Sequence, residues 1–329
     1  MPDRDEGSPR PAFTTPLFMS PLFLGHDTGT HPENSGRFRA IQQALTASGL
    51  LRGRLLPAFN PATDKQITRV HTTAHLKRLE AIATHGGGWI DPDTIVDTDS
   101  LAVARMAASA GIAAVDYTLG AEPGHRHAFA LGRPPGHHAT PNRAMGFCLL
   151  NNVAISAAHA LSRGVARVAI IDWDMHHGNG TQDCFYESSD VFFCSLHQWP
   201  LYPGTGASEE RGTGPGENWT LNIPLPPGSD DLVYLDAFDR IVSPAVRMAR
   251  PELILVSAGY DAHVDDPLGA MEISTEGFRT LAQRVCALAD ELCDGHLVLI
   301  LEGGYNPAAL ADAVLVTIGE LDRPSQASF

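Results

Sequence analysis

Short apolar runs recur along the chain, and each breaks into a polar cluster at its end. His127-Ala128-Phe129-Ala130-Leu131 runs into Gly132-Arg133-Pro134-Pro135-Gly136-His137-His138, and Val168-Ala169-Ile170-Ile171 runs into Asp172-Trp173-Asp174-Met175-His176-His177-Gly178-Asn179-Gly180. Leu253 to Val256 opens into Ser257-Ala258-Gly259-Tyr260-Asp261-Ala262-His263, and Leu297 to Leu301 into Glu302-Gly303-Gly304-Tyr305-Asn306. Runs this short and this apolar read as buried strands. Further strands are expected near Val191 and Leu221, after a first apolar segment, Pro16 to Leu24, and a loop carrying His26-Asp27 and His31-Pro32-Glu33. Helical periodicity runs from about Gly36 to Ser48, over Ala74 to Ala83, through the Ala-rich stretch Leu101 to Leu119 and over Asn151 to Ser162. Gly86-Gly87-Gly88 and Asp91-Pro92-Asp93 mark a turn-rich loop, and Trp199 to Gly228, dense in Gly and Pro, reads as a long one. The alternation predicts an α/β fold: a central parallel sheet with helices on both faces.

In such a sheet the ligand crevice lies outside the carboxyl ends of the strands, so the four clusters would meet there. Each has an innocent reading alone, as a surface loop, a packing turn or a set of helix caps. Along an extended segment alternate side chains share a face, which would point Asp172, Asp174 and His176 one way and Trp173 and Met175 the other. Two carboxylates and an imidazole at the end of an apolar strand are costly to desolvate without a cation or a hydrogen-bond network. Carboxylate and imidazole are ordinary ligands for a divalent transition ion.

Composition narrows the classes. At 329 residues and 43% hydrophobic content the chain can bury a large core. Twenty-three Lys and Arg against 38 Asp and Glu give a formal charge of −15, which argues against a nucleic-acid-binding face. No run is long enough to span a bilayer, so no membrane association is expected. Residues 1–15, rich in Pro and charge and without the apolar core of a signal peptide, are read as a frayed, disordered leader, and 16–329 as a single catalytic domain. Cys148, Cys184, Cys194, Cys286 and Cys293 are odd in number and lack Cys-x-x-Cys spacing, which favours a reducing, cytoplasmic compartment.

Taken in order, Arg133 to His138, Gly146-Phe147-Cys148, Asp172 to Gly180, Ser195-Leu196-His197, Pro203 to Gly206, Ser257 to His263 and Glu302 to Tyr305 resemble the zinc-dependent histone deacetylase family. The resemblance runs from about His26 onward. Asn179 and Asp266-Pro267-Leu268-Gly269 are more similar to the class II deacetylases and their bacterial relatives than to class I. It implies the arginase/deacetylase fold. It implies Asp174, His176 and Asp261 as ligands of Zn²⁺, with Fe²⁺ or another divalent ion as the alternative. His138 becomes the general base, His137, held by Asp172, orients water, Asn179 partners the second histidine, and Tyr305 donates to the oxyanion.

The same resemblance implies a structural K⁺ held by Asp172, main-chain oxygens of Asp174 and His176, Ser195 and Leu196. Phe147, with Gly146, and Tyr202 match the walls of a channel suited to a lysine stem; a core aromatic is the competing reading. Asp93 falls near a rim acid that grips substrate amides, against a solvated turn aspartate, and Arg37 near an interior cation, against a helix-surface arginine. The implied reaction removes acetyl from N-ε-acetyl-lysine in a protein or peptide and releases acetate. An acetylpolyamine amidohydrolase is the alternative, disfavoured by Leu268, which stands where polyamine-selective relatives carry an acid. A non-catalytic acyl-lysine-binding protein would be expected to have lost one of the ligand, histidine or tyrosine positions. The expected partner is an acetylated protein, peptide or small amine; nothing in the sequence fixes the oligomeric state.

Overall fold

The computed structural model describes residues 15–124 and 126–323. Its strands are β1 (Leu17–Phe18), β2 (Gly88–Asp91), β3 (Thr94–Val96), β4 (His127–Ala130), β5 (Val168–Asp172), β6 (Val191–Gln198), β7 (Thr220–Leu225), β8 (Leu253–Ala258) and β9 (Leu297–Leu301). Seven of them form one sheet, in the order β1-β4-β9-β8-β5-β6-β7, with every neighbouring pair parallel. The expected parallel α/β sheet is therefore present.

Helices α1 (Ser35–Ala47), α2 (Asp64–Ile67), α3 (Thr73–Thr84), α4 (Ser100–Gly120), α5 (Asn152–Ser162) and α6 (Asn179–Phe185) precede α7 (Asp231–Ala237), which passes through a π-helical turn, Phe238–Val242, into α8 (Ser243–Ala249). α9 (Thr275–Cys293) and α10 (Pro307–Leu321) complete the chain as described. The strands are apolar throughout because both faces are covered. Ala169 and Ile171 of β5 pack with residues of α9 and α10, while Val168 and Ile170 pack with α4 and α5. Fully burying one such Ile or Val contributes roughly 1.5–3 kcal/mol. Among the described residues no helix is long and apolar enough to cross a membrane.

Three sequence expectations change. The first apolar segment divides into the two-residue strand β1 and a 3₁₀ turn, Pro21–Leu24. The turn-rich loop contains an antiparallel hairpin, β2 paired with β3, whose bend holds Pro92 and Asp93. Part of the Trp199 to Gly228 loop is the edge strand β7, where the strand near Leu221 was expected. Of the expected leader, Thr15 is buried and bonded to Asp322 Oδ1 at 2.7 Å and Leu321 O at 2.9 Å; residues 1–14 lie outside the described residues.

Strand order reverses between β5 and its neighbours: β6 and β7 lie on one side, β8 and β9 on the other. Asp172 at the end of β5 is in register with Ser195 of β6 and Ser257 of β8. The segments after β5 and β8 thus leave the sheet side by side at its switch point, where a crevice must open.

Candidate active site

Asp174 and His176 follow β5, Asp261 follows β8, and one ligand atom from each lies within 4.8 Å of the other two. His176 Nδ1 is 2.9 Å from Asp261 Oδ2 and 3.2 Å from Asp174 Oδ1. The simple alternation of faces stops at Asp172, because β5 ends there. Asp172 instead holds His137, while Trp173 and Met175 are buried in the core. The ligand cradle depends on glycine: a Cβ at Gly259 would sit 2.1 Å from Asp174 Oδ2, and one at Gly303 would sit 2.4 Å from Asp261 Oδ2. Backbone N–H groups of Met175 and Gly303 donate to Asp261 and Asp174 at 2.8 and 2.9 Å.

The electrostatics of this trio call for a positive charge. Burial opposes charge on His176, yet its hydrogen bonds to Asp174 and Asp261 push the imidazole up to about 10. Burial and the nearby Asp174 charge push Asp261 up to about 7. Two buried carboxylates converge on one imidazole, and a divalent cation bound by the same donor atoms would satisfy their charge. The donor set fits such an ion.

His137 Nδ1 lies 3.0 Å from Asp172 Oδ2, and its Nε2 lies 3.7 Å from Asp174 Oδ1. Burial works against its protonation, but the charges of Asp174 and Asp172 raise its pKa well above the usual imidazole range. His138 Nδ1 meets Asn179 Oδ1 at 2.8 Å, and its ring centroid is 4.1 Å from that of His137. Because an amide oxygen only accepts, His138 carries its hydrogen on Nδ1 and leaves Nε2 with a lone pair. Burial, then repulsion from His137 and His176, lowers the His138 pKa well below the ordinary value; its bond to neutral Asn179 raises it only weakly. His177 turns away to Thr205 and Gln182, and burial lowers it to about 3.

Aromatic rings from three separate segments pack around this group. Tyr202 packs edge-on to His138 at 5.2 Å, Phe147 edge-on to Tyr305 at 5.5 Å, and His31 against Phe147 at 4.5 Å. Gly146 and Phe147 both have positive φ, +54° and +69°, inside a tight turn closed by Met145 and Cys148. A Cβ at residue 146 would lie 2.5 Å from His138 Cδ2 and 3.0 Å from Tyr202 Cε1. Gly146→Ala should therefore displace the imidazole and lower kcat by about ten- to a hundredfold. Metal content should stay unchanged, since the ligands lie on other segments; full activity in this variant would mean that the ring position is unimportant. Phe147 N–H also donates to Thr94 Oγ1 at 3.2 Å, which ties the β2–β3 hairpin to the Phe147 turn. There Asp93 sits half-buried beside Asp91; burial and the Asp91 carboxyl push it up to about 6.

Tyr305 is nearly buried, its ring 5.0 Å beneath the Arg37 guanidinium. Burial raises its pKa well above 10, Arg37 opposes that, and Asp261 and Asp174 add to it, so the phenol stays protonated. Arg37 is an interior residue, 1% exposed, rather than a surface arginine. Its Nε donates to Gly304 O at 2.6 Å, and Nη1 lies 3.2 Å from Glu33 Oε1. Glu33 also takes a two-pronged contact from Arg133 at 2.8 and 2.8 Å. Burial would raise Glu33, but Arg133 holds it down at about 2. Glu302 accepts from the Gly136 and His137 amides at 2.6 and 3.1 Å. The support roles of Glu33, Asp266 and Glu302 were missed in the sequence; His31-Pro32-Glu33 just before α1 was the only trace of the first.

Asp172 is fully buried between Ser195 and Ser257, and burial pushes it up to about 6. The Ser257 hydroxyl has no hydrogen-bond partner among the described residues. An extra cation beside this carboxylate is compatible with both observations. Leu268 is partly buried, with its N–H donating to Asp266 Oδ1 at 3.0 Å.

Residues 31–321 match the histone deacetylase domain family. A protein named "Probable deacetylase" from Archaeoglobus fulgidus is 42% identical over 86% of this chain and 79% of its own length. The "Histone deacetylase-like amidohydrolase" of Pseudomonas aeruginosa is 40% identical over 88% of this chain and 77% of its own. Among solved structures, the HDA15 HD domain superposes with a TM-score of 0.86 at 35% identity, covering 93% of this chain and 90% of that one.

Proposed function

This chain belongs to the histone deacetylase family and is a hydrolase of the deacetylase/amidohydrolase type; from that premise we propose that it removes acetyl from N-ε-acetyl-lysine in proteins or peptides. The observation that carries the reading is the joint position of Asp174, His176 and Asp261, with His137 beside Asp174 and the rings of Tyr202 and Phe147 packed against His138 and Tyr305. A divalent ion held by the trio, zinc in this reading with Fe²⁺ as the alternative, supplies Lewis acidity and lowers the pKa of water.

The chain's own residues do the rest. Phe147 and Tyr202 hold the methylene stem between two rings and shut bulk water out of the slot. His138 Nε2 takes a proton from the attacking water and later gives one to the departing amine, while Asn179 keeps the hydrogen on Nδ1. His137, oriented by Asp172, steadies the water and the developing charge. Tyr305 donates its hydroxyl hydrogen to the carbonyl oxygen as that oxygen gains charge. A K⁺ beside Asp172, held by Ser195 and the main-chain oxygens of Asp174, His176 and Leu196, is supported by the buried, unpartnered Ser257 hydroxyl. Five free thiols support the reducing, cytoplasmic compartment.

Turnover of a panel of acetyl-lysine peptides, acetylpolyamines and longer acyl-lysines tests the substrate. Acetyl-lysine peptides should exceed acetylpolyamines by about tenfold or more in kcat/KM, because apolar Leu268 offers no partner to a second ammonium. The reverse preference would assign the protein to polyamines. No turnover of any member by metal-loaded protein would sink the hydrolase mechanism.

A further inference from the structure

We propose that Asp266 is a positioning residue that sets the Tyr305 hydroxyl for reaction by holding the Tyr305 turn and the Leu268 rim on one carboxylate. The inference rests on the role given above to Tyr305. Asp266 is 8% exposed. Its Oδ2 accepts the Tyr305 N–H at 2.6 Å and the Asn306 N–H at 3.3 Å, and its Oδ1 accepts the Leu268 N–H at 3.0 Å.

The turn needs such an anchor because Gly303 and Gly304 have no side chains to pack, and Gly304 sits at φ +120°. Hydrogen bonds to the backbone hold it instead. Arg37 binds the carbonyls of Glu302 and Gly304 at 2.5 and 2.6 Å, Asp174 takes the Gly303 N–H at 2.9 Å, and Tyr260 N–H donates to Gly303 O at 3.1 Å. The Tyr305 peptide N–H itself belongs to Asp266. Its loss would free the Cα from which the reacting ring projects while every other anchor stays in place.

Simple helix capping does not account for this carboxylate. α10 already has its N-cap in Asn306, whose Oδ1 accepts from Ala308 and Ala309 at 3.1 and 3.3 Å. Asp266 reaches one residue earlier, and its second oxygen goes to the rim. A substrate that presses on Leu268 is thereby linked through one side chain to the hydroxyl that meets its carbonyl.

A double-mutant cycle tests the proposal. Asp266→Ala should lower kcat by about ten- to a hundredfold, the size of effect that a small misplacement produces, with KM within about twofold and bound metal unchanged. In a Tyr305→Phe background, where the hydroxyl is already gone, the same substitution should change kcat by less than about twofold. If Asp266→Ala folds poorly, Asp266→Asn keeps one acceptor oxygen and should show a smaller loss with the same dependence on Tyr305. Full multiplicative losses in the double variant, a loss confined to KM, or a fall in metal content would each overturn the proposal. If Tyr305→Phe alone were fully active, the role of Tyr305 would fail; any kcat loss on changing Asp266 would then show that it acts elsewhere.

Discussion

Changing any one of Asp174, His176 and Asp261 to Ala should remove bound metal and turnover together. Three protein ligands leave no redundancy, and even the outer partners of metal ligands typically cost about 10- to 100-fold in affinity when lost. Loss of a direct donor should exceed that and bring activity to background. Each carboxylate also accepts backbone N–H groups, Met175 on Asp261 and Gly303 on Asp174, so truncation disturbs the fold as well. Asp261→Asn separates the two effects, because its amide oxygen can still accept from Met175. It should melt near the parent temperature yet fail to retain a divalent ion after dialysis. One equivalent of metal with normal turnover in any of these variants would remove that residue from the ligand set.

His138→Ala should keep the metal and lose about a hundred- to ten-thousandfold in kcat, the contribution of a positioned acid/base group. The separation follows from geometry. His138 is bonded through Nδ1 to Asn179 and makes no hydrogen bond to Asp174, His176 or Asp261, whereas Nε2 is left free to take a proton. Burial and two neighbouring imidazoles disfavour a charged ring, which keeps the base in its accepting form. Metal analysis and steady-state kinetics on the same preparation check both halves. Near-normal kcat would transfer the role to His137, and loss of metal would mean that the imidazole supports the ion instead.

The parts of this arrangement legible in the sequence are those that depend on strand ends. Apolar runs closing in His137-His138, Asp174-Met175-His176, Asp261 and Tyr305 announce residues delivered to one sheet edge, and the fold brings all of them together. Less legible were features set by local backbone geometry. The side-chain alternation through Asp172, Asp174 and His176 assumed an extended chain, but the strand stops at Asp172 and the next residues turn. The β2–β3 hairpin was hidden because Gly86-Gly87-Gly88 and Asp91-Pro92-Asp93 read as breakers, while Trp89, Ile90 and Ile95 make too short a pattern to register as strands. Glu33, Asp266 and Glu302 were missed for another reason. Each is a buried acid with a decisive partner far away in the chain, Arg133 for Glu33, the Tyr305 amide for Asp266 and the Gly136 amide for Glu302, and no spacing rule encodes which distant group a carboxylate will meet.

The place of β9 in the sheet has a consequence for synthesis. Although it is the last strand among the described residues, β9 lies between β4 and β8, which do not pair with each other. A nascent chain that has not reached Leu297 therefore carries two separate ribbons, β1-β4 and β8-β5-β6-β7, each with an open, strongly apolar edge. Such edges are templates for wrong pairing, so a chain still lacking β9 is exposed to aggregation. Tyr305 follows only eight residues after that strand begins, so this phenol and the keystone of the sheet arrive almost together. The incomplete chain cannot hydrolyse anything while its halves are still apart.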